Sequence, residues 1–313
     1  MKQARRWVAT GFGGPEMLEE TLVDLPDPRR GEVTVEVRAA GMNPADYKHF
    51  GPGQDPKLLP LSIGNEVSGV IAAIGAGTDI ASGGGAVGDE VVVFQVSDGY
   101  SSGLNAAAAD VFAKPATLTF PQAANLLLVG TTAAETLDVV GLASGETLLV
   151  HAAAGGVGTS VVQQAVLLGA TVIGTAAERD FDAVRGFGAI PVAYGPGLEE
   201  RVRAAAPGGV DAVIDTIGVD EAVDVSLALI GDRKRFVSTA AFARAQQDGF
   251  QIVGAKNPHS GLFRAAARAA ILELAAQGKL TVPIAATYSL SETPRAVQAL
   301  QGAHPYGKLA LVP

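Results

Sequence analysis

The densest run of residues suited to chemistry is His151-Ala-Ala-Ala-Gly-Gly-Val-Gly158. The apolar Leu148-Leu-Val150 leads into it, and a helical pattern reaching Leu168 leads out. A pyrophosphate must approach main-chain N–H groups at a helix start, where unpaired donors and the helix dipole favour negative charge. Side chains would block that approach, so alanine and glycine occupy the turn. Gly158 would let the helix pack close to the strand. Ala153 stands where the G-x-G-x-x-G pattern has its first glycine, but the strand before and the helix after supply the right context. The segment reads as a dinucleotide-binding turn, with Ala154, Gly155, Gly156, Val157 and Gly158 against the phosphates. A tight strand–helix turn without a ligand is the alternative.

The end of the following strand chooses the dinucleotide. Sites for NAD carry an acid about twenty positions on, which binds the ribose 2′-hydroxyl. Here Thr171–Thr175 runs into Ala176-Ala177 with no carboxylate at its tip, and Arg179 follows. A carboxylate would repel a 2′-phosphate, whereas a guanidinium binds one through paired donors. The expected cofactor is therefore NADPH. Glu178 leaves the opposite choice open: turned toward the ribose in place of Arg179, it would favour NADH. Arg179 could also be a surface residue at a helix start.

These residues need a scaffold that gathers strand ends. From Glu146 onward, strands are expected at Leu148–His151, Thr171–Thr175, Ile190–Ala193, Asp211–Asp215 and Arg235–Thr239. Helices are expected between them at Val157–Leu168, Asp180–Phe187, Leu198–Ala206 and Glu221–Leu229. Such alternation implies α/β architecture with a doubly wound parallel sheet. Residues 1–120 read instead as β-rich: Val33–Arg38 alternates apolar and polar side chains, and Val67–Ile74 and Glu90–Phe94 are apolar and β-branched. After residue 255 the rhythm breaks again, with a long helix at Leu262–Gln277, a strand at Val282–Tyr288, a capped helix opening at Ser291 and a last strand at Lys308–Val312.

At 313 residues, 48% hydrophobic and 18% charged, the chain has apolar material for two cores. A net charge of −9 and 5% aromatic content argue against nucleic acid or an anionic membrane as partner. The absence of cysteine removes disulfides, thiolate catalysis and thiolate metal sites. It fits a cytoplasmic protein, as does the basic start Met1–Trp7, which no apolar stretch follows.

The stretch Gly145-Glu-Thr-Leu-Leu-Val-His-Ala-Ala-Ala-Gly-Gly-Val-Gly158 with Gln163 resembles the zinc-independent quinone oxidoreductase (zeta-crystallin-like) branch of the medium-chain dehydrogenase/reductase superfamily. So do Gly41-Met-Asn-Pro-Ala-Asp46, Gly64-Asn-Glu66 with Gly69, Gly88-Asp89, Gly130-Thr-Thr-Ala133, Asp215-Thr-Ile-Gly218 and Gly307-Lys308. Val166 departs from the family signature, which prefers lysine, arginine or serine there.

The resemblance implies a GroES-like β-rich catalytic domain at 1–120, completed by 256–313, and a Rossmann NADPH-binding domain at 121–255, with the active site in the cleft between them. It implies that Asn43 lines the nicotinamide or substrate pocket, with Tyr47 as a nearby hydroxyl that could donate a proton or merely pack. Thr131, Ala176, Ile217, Ser238 and Thr239 are expected along the cofactor, Tyr194 beside the 2′-phosphate with Arg179, and Lys308 by the cofactor from the returning tail. Each has a plainer alternative as a turn, edge or surface residue. Asp46 is expected to form a turn or structural hydrogen bond.

Zinc-dependent relatives carry cysteine where Asn43 stands and histidine where Asn65 stands, so no metal is expected. His49, His151, His259 and His304 lack ligand spacing and read as structural or solvated. Reaction without a Lewis acid suits an electrophilic acceptor such as a quinone. An enoyl or alkenal double-bond reductase is the near alternative, and an NADPH-binding structural or regulatory protein without turnover is the alternative of a different class. The loop Phe50–Leu61 and the segment Lys256–Leu262 are expected to shape the substrate pocket, and Phe250–Val253 to be an edge strand that could pair in a homodimer.

Overall fold

The computed structural model describes residues 2–53, 55–254, 258–302 and 306–313. Lys256 and His304, named above, lie outside the described residues.

Along the chain come β1 (Gln3–Ala9), β2 (Leu18–Asp24), β3 (Glu32–Gly41), α1 (Pro44–Lys48), β4 (Leu61–Ser62), β5 (Glu66–Ile74), β6 (Glu90–Phe94), β7 (Gly103–Ala107) and β8 (Val111–Ala113). Two helices follow, α2 (Phe120–Ala123) and α3 (Leu127–Val140). Then β9 (Thr147–His151), α4 (Gly156–Leu167), β10 (Thr171–Ala176), α5 (Phe181–Gly186), β11 (Ile190–Ala193), α6 (Leu198–Ala205), β12 (Ala212–Asp215), α7 (Asp220–Leu229), β13 (Phe236–Ser238), α8 (Phe242–Asp248) and β14 (Gln251–Ile252) alternate. The chain closes with α9 (Pro258–Ala276), β15 (Ile284–Ser289), α10 (Thr293–Gln301) and β16 (Lys308–Val312).

Two compact units result, Met1–Leu128 with Ala275–Pro313, and Val129–Leu274. In the first, β15, β16, β3, β5, β6 and β8 form one sheet, with β7 on β3. The tail enters this sheet directly: β16 runs antiparallel to β3, pairing Leu311 with Ala40 and Ala310 with Gly41. Val33, Val35 and Val37 of β3 pack with Val67, Ile71, Val91, Val93, Leu309 and Leu311 in one core. The alternation read from Val33–Arg38 is thus that of a half-buried strand.

In the second unit all strand pairs are parallel, in the order β11-β10-β9-β12-β13-β14 among the described residues. Side chains alternate between two cores. Leu148, Val150, Val172, Ala212, Ile214 and Val237 face one layer of helices. Leu149, Ile173, Val213 and Phe236 face the other. A sheet covered on both faces explains why its strands are continuously apolar. From β9 the chain winds outward through β10 to β11, then returns to β12 on the other side of β9. That reversal of strand order is where open α/β sheets bind ligands, beyond the carboxyl ends of the strands.

The observed divisions fall later than the rhythm of the sequence suggests, for identifiable reasons. The α2 segment belongs with the first unit, because Ser68 Oγ donates to Phe120 O at 2.6 Å and Asn125 Nδ2 donates to Pro121 O at 3.0 Å and Leu309 O at 3.1 Å. Most of α9 belongs with the second, where Ser260 donates to Glu135 and Arg264 Nε donates to Glu135 Oε2 at 2.6 Å. The apolar stretch Phe120–Val140 is long enough by length and composition to cross a membrane, but 78% of its most apolar window is buried within the fold.

Close packing of α4 on β9 requires glycine at 158. A Cβ there would stand 2.1 Å from Ala152 O, whereas a Cβ at Gly186 in α5 would meet nothing within 4 Å. Gly158→Ala is expected to lower stability by about 1–3 kcal/mol, and Gly186→Ala to leave it unchanged or slightly raised. Urea midpoints at constant m-value test the pair.

Candidate active site

The phosphate-turn residues sit on the surface of the second unit, at the carboxyl end of β9. Helix α4 starts with Gly155 as N-cap and has no side-chain cap. Its first-turn N–H groups are therefore left for an external acceptor. Gly155 is exposed, and Ala154, Gly156 and Val157 are partly so. The turn is anchored from behind: Ala153 N donates to Thr175 O at 2.9 Å and Gly155 N to Ala152 O at 2.9 Å. Ala152 takes φ +56°, in the left-handed region. For a residue with a Cβ this costs roughly 1–2 kcal/mol, so the surroundings must enforce it.

Register brings the residues expected at the tips of β10, β11, β12 and β13 to the same edge. Ala176, the last residue of β10, pairs with Ala193 of β11, which places Ala177 and Tyr194 at adjacent strand tips. Tyr194 is 58% exposed. Arg179 lies in the turn after β10, 67% exposed, with Nε 3.8 Å from Asp180 Oδ2; Glu178 beside it is also exposed. Asp215 pairs with His151 on one side and Ser238 on the other. Ile217 and Thr239 therefore follow neighbouring strand ends.

Thr131 is buried in α3. It follows Gly130, whose carbonyl accepts from Gln164 Nε2 of α4 at 3.0 Å.

One residue organises the β12 and β13 tips and was not singled out as a site residue from sequence. Asp215 Oδ1 accepts from Ile217 N and Gly218 N, each at 3.0 Å, and Oδ2 accepts from Ser238 Oγ at 2.6 Å. Ser238 Oγ in turn accepts from Ala240 N and Ala241 N at 3.1 and 2.9 Å. The only signal in the sequence was an acid ending an apolar strand before Thr-Ile-Gly.

The first unit contains a buried polar cluster built around Asn43. Asn43 Nδ2 donates to Glu66 Oε1 at 2.9 Å, and its Oδ1 accepts from Lys308 Nζ at 2.5 Å. Lys308 also donates to Met42 O at 2.6 Å. Asp46 caps the start of α1 by accepting from Asn43 N at 2.8 Å; it also accepts from Tyr100 OH at 2.9 Å and from Asn65 Nδ2. Lys308 is therefore a buried cation of the first unit, not a surface charge. Asp46 forms a turn and structural hydrogen bonds, as expected. Tyr47 is partly buried and packs on the apolar core, whereas Tyr100 supplies the hydroxyl in the cluster.

Burial dominates the electrostatics. It lifts the Glu66 carboxyl to about 7 against the attraction of Lys308, and raises Asp46 as well. Burial likewise pulls Lys308 below the ordinary lysine value, while Glu66 and Asp46 oppose it. Neither Glu66, between Asn65 and Val67, nor Tyr100, between Gly99 and Ser101, stood out in the sequence as chemistry.

The remaining expectations are placed as follows. His49 and His259 are exposed, while His151 is buried at the end of β9. Phe50 is buried, and Leu58 and Leu262 are exposed.

Residues 29–135 match the family model of the alcohol dehydrogenase GroES-like domain, and residues 187–311 that of the zinc-binding dehydrogenases. Quinone oxidoreductase 1 of Escherichia coli is 36% identical over 165 residues, covering 52% of this chain and 49% of that protein. A spectinabilin polyketide synthase protein of Streptomyces orinoci is 33% identical over 325 residues, covering 98% of this chain but 14% of its own length. Two mycobacterial structures, a native quinone oxidoreductase and a protein in complex with NADPH, are each 30% identical and cover 99% of this chain. This chain covers 100% of each, with TM-scores of 0.79 and 0.82. The chain spans about half the length, or less, of the curated relatives it matches. It belongs to the quinone oxidoreductase branch of the medium-chain dehydrogenase/reductase superfamily.

The donor set in the first unit does not fit the zinc that one family model is named for. Both ends of the Asn43 amide are engaged by Glu66 and Lys308, and an ammonium 2.5 Å from the amide oxygen would repel a dication. Asn65 is engaged by Asp46. Carboxamides are in any case poor substitutes for thiolate and imidazole ligands.

Because Glu66 binds its proton more tightly folded than unfolded, it contributes stability that is full below about 4.5 and is lost as pH rises through about 7. The stability of Glu66→Gln relative to the parent chain should therefore climb between those pH values and level off above them. Urea titrations at several pH values measure the slope, and a difference that falls or stays flat would contradict the assignment.

Proposed function

We propose that this chain is an NADPH-dependent oxidoreductase that reduces quinones or similarly activated acceptors without zinc. The observation that carries the reading is the Asn43 amide, held between a buried carboxyl and a buried ammonium. It leaves the acceptor no Lewis acid, so an alcohol or unactivated carbonyl would go unpolarised. The acceptor must be electrophilic already, and the protein contributes proximity and orientation.

The nucleotide would be held by Ala154, Gly155, Gly156, Val157 and Gly158 at the pyrophosphate. Ala176, Ile217, Ser238, Thr239 and Thr131 would lie along it, and Arg179 and Tyr194 would flank a 2′-phosphate. Bound NADPH supplies hydride from nicotinamide C4. Support for NADPH over NADH comes from the alanine tip of β10 and the exposed guanidinium after it, and from the mycobacterial relative solved with NADPH. In the first unit, Asn43 would position the acceptor, with Lys308 and Glu66 fixing its amide. The reading includes a cytoplasmic setting and a homodimer formed through the edge strand β14.

Cofactor titration tests the nucleotide half. Arg179→Ala should weaken NADPH binding roughly tenfold, the loss of one charge-assisted hydrogen bond, and leave NADH binding nearly unchanged. A parent chain that binds NADH more tightly than NADPH would sink the assignment. NADPH oxidation against quinones, enones and aldehydes tests the acceptor half. Quinone turnover is expected; product analysis showing only saturated C=C bonds would make the chain an enoyl or alkenal reductase, and binding without turnover would make it non-catalytic.

A further inference from the structure

Behind the phosphate turn lies a chain of buried hydrogen bonds whose direction can be fixed. Ser226 Oγ donates to Ala222 O at 2.6 Å, which uses its one proton. Ser226 can therefore only accept from the His151 ring, whose Nε2 lies 3.0 Å away. The proton must then reside on Nε2, and Nδ1 is left as an acceptor. Thr175 Oγ1 stands 3.4 Å from Nδ1 and accepts from Ala152 N at 3.1 Å. Each group thus has one role, from the Ala152 N–H through Thr175 and His151 to Ser226 and the carbonyl of Ala222. His151, Thr175 and Ser226 are all buried. The relay ends on the residue with φ +56°, whose own carbonyl accepts from Gly155 N at 2.9 Å.

We propose that neutral His151 is a positioning residue for the cofactor: through Thr175 it holds Ala152 in the left-handed conformation that aims the turn's N–H groups at a pyrophosphate. The imidazole touches no phosphate itself. Burial keeps it neutral, drawing it down to about 4 against the opposing fields of Asp215 and Glu221. The inference rests on the dinucleotide reading above and adds to it a residue that would set affinity from behind the turn.

Two amide substitutions separate the two ring nitrogens. In His151→Asn the side-chain oxygen can take the place of Nδ1 and still accept from Thr175. In His151→Gln the longer amide can donate to Ser226, but Thr175 loses its acceptor. The expected result is an NADPH Kd within about twofold of the parent for His151→Asn and about tenfold weaker for His151→Gln, with similar urea midpoints. Thr175→Val should weaken binding like His151→Gln, while Thr175→Ser should restore it. In the unliganded proteins, amide hydrogen exchange at Ala152–Gly158 should speed up in His151→Gln and Thr175→Val alone. Losses in both His151 variants that simply follow their midpoints would make the residue structural and overturn the proposal, as would unchanged affinity in His151→Gln and Thr175→Val. A parent chain that binds neither NADPH nor NADH would instead overturn the nucleotide reading beneath it.

Discussion

Parallel register in the β9–β14 sheet is the constraint on which the candidate cofactor site depends. When all strands of a sheet run the same way, their carboxyl ends share one edge, and loops separated widely in sequence become neighbours. His151 meets Asp215, Asp215 meets Ser238, and Ala176 meets Ala193, each through main-chain pairing. No side chain need search for another. The two cores that flank the sheet maintain the register, because a slip of one residue would exchange Leu148 and Val150 with Leu149 between two differently shaped layers.

The first unit solves a different problem, that of keeping charge inside an apolar sheet. Glu66, Asp46 and Lys308 are fully buried, and isolated ions there would be prohibitively unfavourable. Each oxygen and nitrogen is accordingly committed to a partner, and Asn43 is the shared one. Its main-chain N–H donates to Asp46, its Nδ2 donates to Glu66 and its Oδ1 accepts from Lys308. Such a cluster holds the amide in one orientation more firmly than packing could, since a flipped amide would set its NH2 against the ammonium and its oxygen against a carboxyl oxygen.

Much of this was legible in the sequence, and what was not has a common cause. Apolar periodicity located β9 to β13 within a residue or two, because burial on both faces leaves an unmistakable record in Leu148–His151 or Asp211–Asp215. The glycine turn was legible because close packing of α4 on the strand end restricts side-chain size, as at Gly158. β1 and β2 were not, since Gln3–Ala9 and Leu18–Asp24 are rich in charge and form an antiparallel pair with one face toward water. Among the candidate site residues, Asn43 stood out through the family resemblance and Arg179 by type and position. Glu66, Tyr100, Asp215 and Thr175 were missed because their roles arise only when strands distant in sequence are paired. A carboxylate at the head of a strand looks like a surface acid until the fold closes over it.

Lys308 has a consequence for the order of events during synthesis. The first unit draws β15 and β16 from beyond the second unit, and its Asn43 cluster lacks its cation until residue 308 arrives. Domains ordinarily fold N-terminal first as the ribosome delivers them. Here the sheet of residues 129–274 is complete while its predecessor still waits for a strand and a charge. The unit that begins first finishes last, and two carboxyls destined for burial wait for their cation until residue 308 has been made.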